Sequence, residues 1–144
     1  MNATNTFIFT KKNVEPQEYL IHKMVYNIGQ IHEFSVSKIF NYDETTKTLQ
    51  MQKIPFLNIS DQYGEKSSDI PVHIFEKIRK IIQILYCAQI EYPDITGYNF
   101  IENKTNGKIT IIDFEHARCC NKPIQNKFIK KFIRGFNGWN PEFT

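Results

Sequence analysis

Glycine, cysteine and arginine are scarce in this chain, and each scarcity excludes something. The six glycines of the 144 residues are scattered, with no cluster ahead of the first lysine pair, so no glycine-rich loop to hold phosphate can be read there. The three cysteines, Cys87 and the adjacent Cys119 and Cys120, form no disulfide framework, so a reducing compartment is the simpler expectation. Cys119 and Cys120 beside His116 also lack the ligand spacing of a zinc site. No apolar run approaches the ~20 residues of a membrane span, and Met1 to Thr6 is polar, without the basic-then-apolar order of a signal peptide. An intracellular, cytoplasmic protein is expected. Arginine occurs three times while isoleucine, lysine and asparagine are heavily used, a bias that fits an AT-rich coding sequence.

What is present fits one domain with a sizeable core: 41% hydrophobic and 23% charged residues. The net charge of +3 is uneven. From Cys119 onward Lys122, Lys127, Lys130, Lys131 and Arg134 face only Glu142, giving +4 and leaving −1 for residues 1–118. Ile124 to Phe136 reads as a basic amphipathic helix, with Phe128, Ile129, Phe132, Ile133 and Phe136 on one side. Its apolar side either packs into the domain, the favoured reading, or rests on a membrane surface or anionic partner. No aromatic platform interleaves the lysines, so nucleic acid is not an expected partner. Trp139, in the turn-rich ending, is expected to cap the core.

Before that tail the hydrophobic periods mark several elements. Thr6 to Lys12 reads as a strand, and Pro16 suits the first turn of a helix over Gln17 to Ile31, with Leu20, Ile21, Met24, Val25 and Ile28 as its apolar stripe. Val36 to Tyr42 and Thr48 to Ile54 form a hairpin around Asp43 to Lys47. Asn58 to Asp69 is a polar connecting segment. Pro71 to Ile90 is the strongest helix, with Ile74, Ile78, Ile81, Ile82, Leu85 and Ala88 as a wide apolar stripe.

The most informative stretch runs from Tyr92 to Ala117. Asn99 to Ile101 and Lys108 to Ile112 are β-prone and flank Asn103 to Gly107, whose Asn-Gly pair suits a tight turn. Asp94 and Asn99 lie on the loop leading into this hairpin, and Asp113-Phe114-Glu115 follows it. Antiparallel pairing brings Asn99 and Asp113 to the same end, where an amide oxygen and a carboxylate can converge on one hard cation such as Mg²⁺. Asp94 can face the same spot.

This order, Asp94, Asn99, hairpin, Asp113-Phe114-Glu115, resembles the catalytic loop and metal-binding motif of the protein kinase-like superfamily, and its Asp-Phe-Glu form looks more like choline kinases than most protein kinases. The resemblance covers nearly the whole chain in order and implies an α+β, protein kinase-like fold: a small antiparallel sheet plus helix as a reduced N-lobe (1–57), a hinge (58–70) and a mostly helical reduced C-lobe with the catalytic-loop hairpin (71–144). It implies an ATP- and Mg²⁺-dependent phosphotransferase in which Asp94 positions the acceptor hydroxyl, Asn99 and Asp113 hold metal, and Lys11 or Lys12, partnered by Glu18, contacts phosphate. The acceptor is a protein serine or threonine or a small alcohol; the alternative is a catalytically weak, pseudokinase-like protein that binds a partner. With the composition bias, the resemblance suggests a parasite or large DNA virus as source.

The chain also departs from that pattern. Lys11 precedes Glu18 by only seven positions, Tyr92 and Pro93 replace the His-Arg common in protein kinases, and Thr96 stands where many have lysine. The 29 residues after Glu115 hold no room for an activation segment with its substrate platform.

Overall fold

A computed structural model describes residues 7–143; residues 1–6, with the expected strand start at Thr6 and the signal-free leader, and Thr144 lie outside the described residues. In chain order the elements are β1 (Ile8–Lys11), α1 (Pro16–His32), β2 (Ser35–Val36), β3 (Ile39–Asp43), β4 (Thr48–Gln52), α2 (Ile59–Tyr63), a 3-10 turn (Ser67–Asp69), α3 (Val72–Cys87), β5 (Ile90–Glu91), β6 (Phe100–Glu102), β7 (Ile109–Ile111), β8 (Arg118–Cys119) and α4 (Lys127–Ile133). The result is a mixed arrangement of small sheets and four α-helices. No helix among the described residues is long and apolar enough to cross a membrane.

Three sheets divide the strands. β1, β4 and β3 pair antiparallel in the order β1-β4-β3, with Lys11 opposite Leu49. β7 sits between β6, antiparallel, and β2, parallel. β5 and β8 make a short antiparallel pair. The hairpin β6-β7 forms as its sequence requires: Gly107 takes φ 75°, and the Asn103 side chain accepts from the backbone N–H groups of Thr105 and Asn106, closing the polar turn.

The main core is built by α3, whose Ile74, Ile78, Ile81, Ile82 and Leu85 are buried against α1, the β6-β7 hairpin and α4. The apolar side of α4 packs inward through Ile129 and Phe132, and Trp139 closes the core with its ring 4.7 Å from Phe75. Packing into the domain, rather than an outward apolar face, is therefore the state of α4. Arg79 fastens it, donating to the carbonyls of Phe132 and Phe136.

Several expectations are corrected. α1 buries Glu18, Ile21, His22, Val25 and Gly29, while Leu20 and Met24 of the expected stripe are 54% and 43% exposed. Its inner face is turned by the polar pair Glu18 and His22, which find partners inside. Ala88 is exposed because α3 ends at Cys87. The expected strand from Val36 breaks in two: Ser35–Val36 pairs with β7, and the Ser37 carbonyl is held by the His22 Nε2–H at 2.7 Å, redirecting the chain into β3. The polar segment after Asn58 is not a loop. Asn58 caps α2, its Oδ1 accepting from the Asp61 N–H at 2.8 Å, and Ile59 is fully buried. β8 follows His116, and α4, expected from Ile124, starts at Lys127 because Asn126 caps it.

The inward turn of α1 separates two neighbouring apolar residues. Ile21→Ala is expected to lower unfolding free energy by about 2–5 kcal/mol, whereas Leu20→Ala stays within about 0.5 kcal/mol, measured by urea denaturation.

Candidate functional site

A cavity of about 430 Å³ lies between the β1-β4-β3 sheet and the β6-β7 hairpin. Phe9, Met51, Ile54, Ile101 and Ile111 give it an apolar wall, and Lys11, Glu18, Asn99 and Asp113 stand along it. Its size and mixed lining suit a small ligand with one apolar and one charged end. At the end of β4, Gln52, Lys53 and Ile54 line it.

Successive residues of a strand point to opposite faces, which decides between the two lysines. Lys11 faces inward. Its Nζ donates to Glu18 at 2.7 Å and to Asp113 at 3.2 Å. Lys12 is exposed and makes no ion pair among the described residues. The short interval to Glu18 is no obstacle, because α1 begins at once after the turn and its first residues stand beside β1.

The electrostatics of this trio are lopsided. Burial pulls the Lys11 ammonium down, but the bond to Glu18 and the charge of Asp113 more than offset it, and the lysine sits above its ordinary value. Glu18 is also shifted up, chiefly by burial and with the charges of Asp113 and Glu115 adding, despite the lysine beside it. Both shifts make sense together: a single ammonium is shared among carboxylates that outnumber it. His22, which also lines the cavity and escaped the sequence reading, is held below its ordinary value by burial and by Lys11, so it is a neutral ring.

Asn99 and Asp113 come together as the hairpin requires. The Ile112 N–H donates to the Asn99 carbonyl at 3.0 Å, placing Asp113 one residue beyond. Asn99 Nδ2–H donates to the Asp94 carbonyl at 2.9 Å, which leaves the amide oxygen without a partner among the described residues. Asp113 adopts φ 62°, a left-handed conformation that aspartate tolerates better than most residues and that often marks a functional position. Its Oδ1 accepts from Lys11 and from the Glu115 N–H, and Oδ2 has no donor among the described residues. Two hard oxygen donors and a local surplus of negative charge fit a Mg²⁺ ion, which takes few protein ligands and fills the rest of its octahedron from phosphate and water.

Asp94 is not among the residues that line the cavity and is joined to it through Asn99, which bonds its carbonyl. It is buried, and burial lifts its carboxyl above the ordinary range with the charge of Asp113 adding, against the pull of His116 and Asn99. His116 Nδ1–H donates to Asp94 Oδ2 at 3.3 Å. The loop around Asp94 is clamped three ways. Tyr92 is buried between Phe100 and Phe114 and donates its hydroxyl to the Ile112 carbonyl. Gly97 allows Ser60 to approach so closely that a Cβ would meet Ser60 Oγ at 2.1 Å, and the Ser60 N–H donates to its carbonyl. Asn140, in a strap after α4, donates from Nδ2 to the Pro93 carbonyl and from its N–H to the Ile95 carbonyl, one residue on either side of Asp94. Neither His116 nor Asn140 was placed at the site from sequence; the position of His116 three residues after Asp113 was the available signal.

Two measurements test this account. Lys11→Met leaves the buried Glu18 without its partner and is expected to cost about 1–3 kcal/mol, toward the lower end because the lysine is partly exposed, with Glu18→Gln in the same chain restoring most of the loss. Asp94→Asn is expected to raise the melting temperature at neutral pH. A carboxyl shifted up is ionised at a cost to the fold that is absent below the ordinary carboxylate range, grows through the window up to the raised value and is full above it. The gain of Asp94→Asn should therefore vanish in acid, as thermal melts across pH would record.

No protein-family model matches this chain, and no curated protein matches it in sequence. Among solved structures it is similar to the Cydia pomonella granulovirus kinase PK-1, at 12% sequence identity and a TM-score of 0.59, over 81% of this chain and 45% of the granulovirus protein. The chain thus spans under half the length of that kinase, and at this identity the likeness is one of fold.

Proposed function

We infer that this chain is a minimal, Mg²⁺-dependent phosphotransferase of kinase-like fold that moves the γ-phosphoryl group of ATP to a hydroxyl. The observation that carries the reading is Lys11, held between Glu18 and Asp113 on the wall of a cavity with an apolar end. The apolar wall accepts the base, with the backbone of Gln52 to Ile54 at its border, and Lys11 reaches the phosphates. Asn99 and Asp113 would hold the metal, which when bound neutralises phosphate charge and fixes its geometry. Asp94 marks the side from which the acceptor comes. Such chemistry needs mostly positioning and charge, and a site reduced to these groups can still supply both. Residues 1–57 and 71–144 act as two parts of one unit closing on the cavity. The acceptor is a protein serine or threonine or a small alcohol.

The alternative, a catalytically weak protein that acts by binding a partner protein or kinase, has one observation behind it. β1 is an edge strand with no described strand on its outer side, so no described element lids the phosphate end, and Phe7 and Phe9 stand exposed there.

Thermal melts with and without Mg²⁺-ATP separate the two. At about one hundred times its dissociation constant the nucleotide should stabilise the fold by roughly 2.7 kcal/mol. The shift is expected to need the metal and to be lost in Asp113→Asn, and Asp94→Asn should keep the shift while losing transfer. No shift at millimolar ATP would favour the partner-binding alternative.

A further inference from the structure

We propose that His116 is the group that takes the proton from the acceptor hydroxyl, with Asp94 orienting it from behind, an inference that rests on the phosphotransfer reading above. The Asp94 side chain is 12% exposed and the His116 side chain 48%, with His116 Nδ1 3.3 Å from Asp94 Oδ2. An acceptor arriving from solvent meets the imidazole before the carboxylate. A buried carboxylate can only accept, so the proton of the ring lies on Nδ1, and the lone pair lies on Nε2 at the opposite edge. Tautomer and orientation are thus set by the same contact, the arrangement in which an aspartate serves a histidine base.

The ring is also held from its other side. Phe143, on the strap that Asn140 ties to the loop, lies 5.1 Å from it at an interplanar angle of 58°. The strap therefore fixes both partners at once, the loop through its carbonyls and the imidazole through Phe143. Asp94 is the charged group bonded to the ring, Asp113 acts on Asp94, and Glu115 and Glu142 are the chain neighbours of His116 and Phe143.

In the step, the acceptor oxygen forms a bond to the γ-phosphorus of a nucleoside triphosphate as the bond from that phosphorus to the β,γ-bridging oxygen breaks. The electron pair of the broken bond leaves on the nucleoside diphosphate. The hydroxyl proton passes to His116 Nε2 and from the exposed imidazolium to solvent, returning the neutral ring.

The test uses the full chain with Mg²⁺-ATP and water as the acceptor hydroxyl, following phosphate release across about pH 5–9, where imidazole side chains titrate. His116→Gln is expected to lower the rate about 100-fold, to remove the fall in rate on the acid side, and to keep the nucleotide-induced thermal shift. In His116→Gly, added imidazole is expected to restore part of the rate, which a structural role would not give. A His116→Gln rate within about threefold of the parent, an unchanged pH profile, or no response of His116→Gly to imidazole would overturn the assignment. So would a parent chain that takes up Mg²⁺-ATP, seen as a thermal shift, and releases no phosphate. A parent chain with no shift at all defeats the phosphotransfer reading itself, and the assignment falls with it.

Discussion

One ammonium group joins three separately built pieces of this chain. Lys11 ends the first strand, Glu18 belongs to the first turn of α1, and Asp113 follows a hairpin 102 residues away. Each piece is formed by local rules, and this contact joins all three at the cavity wall, where Gln17 bonding the Ala117 carbonyl, His22 packing on Phe114 and the pairing of β2 with β7 also hold α1 to the hairpin. Its net contribution to stability is small, since Glu18 is shifted up by burial even with the lysine beside it. What it supplies is geometry. A partly buried lysine bonded to two carboxylates is held in place, so its charge is presented at one point.

The other fixed structure is the loop around Asp94, and it is held by means that differ from a charged network. Tyr92 packs on Phe114 and Phe100, so the loop rests on the same aromatic group that anchors the segment following Asp113. Gly97 seats it on α2, and Asn140 holds the carbonyls before and after the aspartate. A loop clamped on its backbone leaves its side chains free for chemistry. The tyrosine ring fills the aromatic stack and its hydroxyl reaches the Ile112 carbonyl, so the loop is held from within its own neighbourhood.

How much of this was legible follows from how local each feature is. The β6-β7 hairpin, α3 and the convergence of Asn99 with Asp113 could be read because turn chemistry and period are local and antiparallel pairing then dictates which residues meet. The direction in which α1 faces could not. Its apolar stripe is broad, and the inner face is chosen by Glu18 and His22, whose partners Lys11 and Ser37 lie on other elements. The strands β2, β5 and β8 are each two residues long and owe their pairing wholly to tertiary contacts, so no period marks them. α2 carried a readable signal, Asn58 three residues before Asp61, which its polar composition hid. The strap at Asn140 and the seat of His116 depend on where the chain returns after α4, which no short pattern encodes.

The charge balance of the site bears on what it can hold. Asp113 and Glu115 act on Glu18, Asp113 acts on Asp94, and Lys11 is the cation that bonds Glu18 and Asp113, with no backbone cradle among the described residues adding positive dipoles beside it. A bare triphosphate entering such a site would meet more negative charge than positive, and in a partly buried cavity that repulsion is only weakly screened. A divalent cation reverses the sign of the problem, since it is drawn to Asp113 and the Asn99 oxygen by the same surplus that repels phosphate. In folds with a glycine-rich cradle the backbone shares the task of neutralisation. Under the phosphotransfer proposal a metal would have to carry nearly all of it, so metal and nucleotide would bind as one unit, each weak without the other.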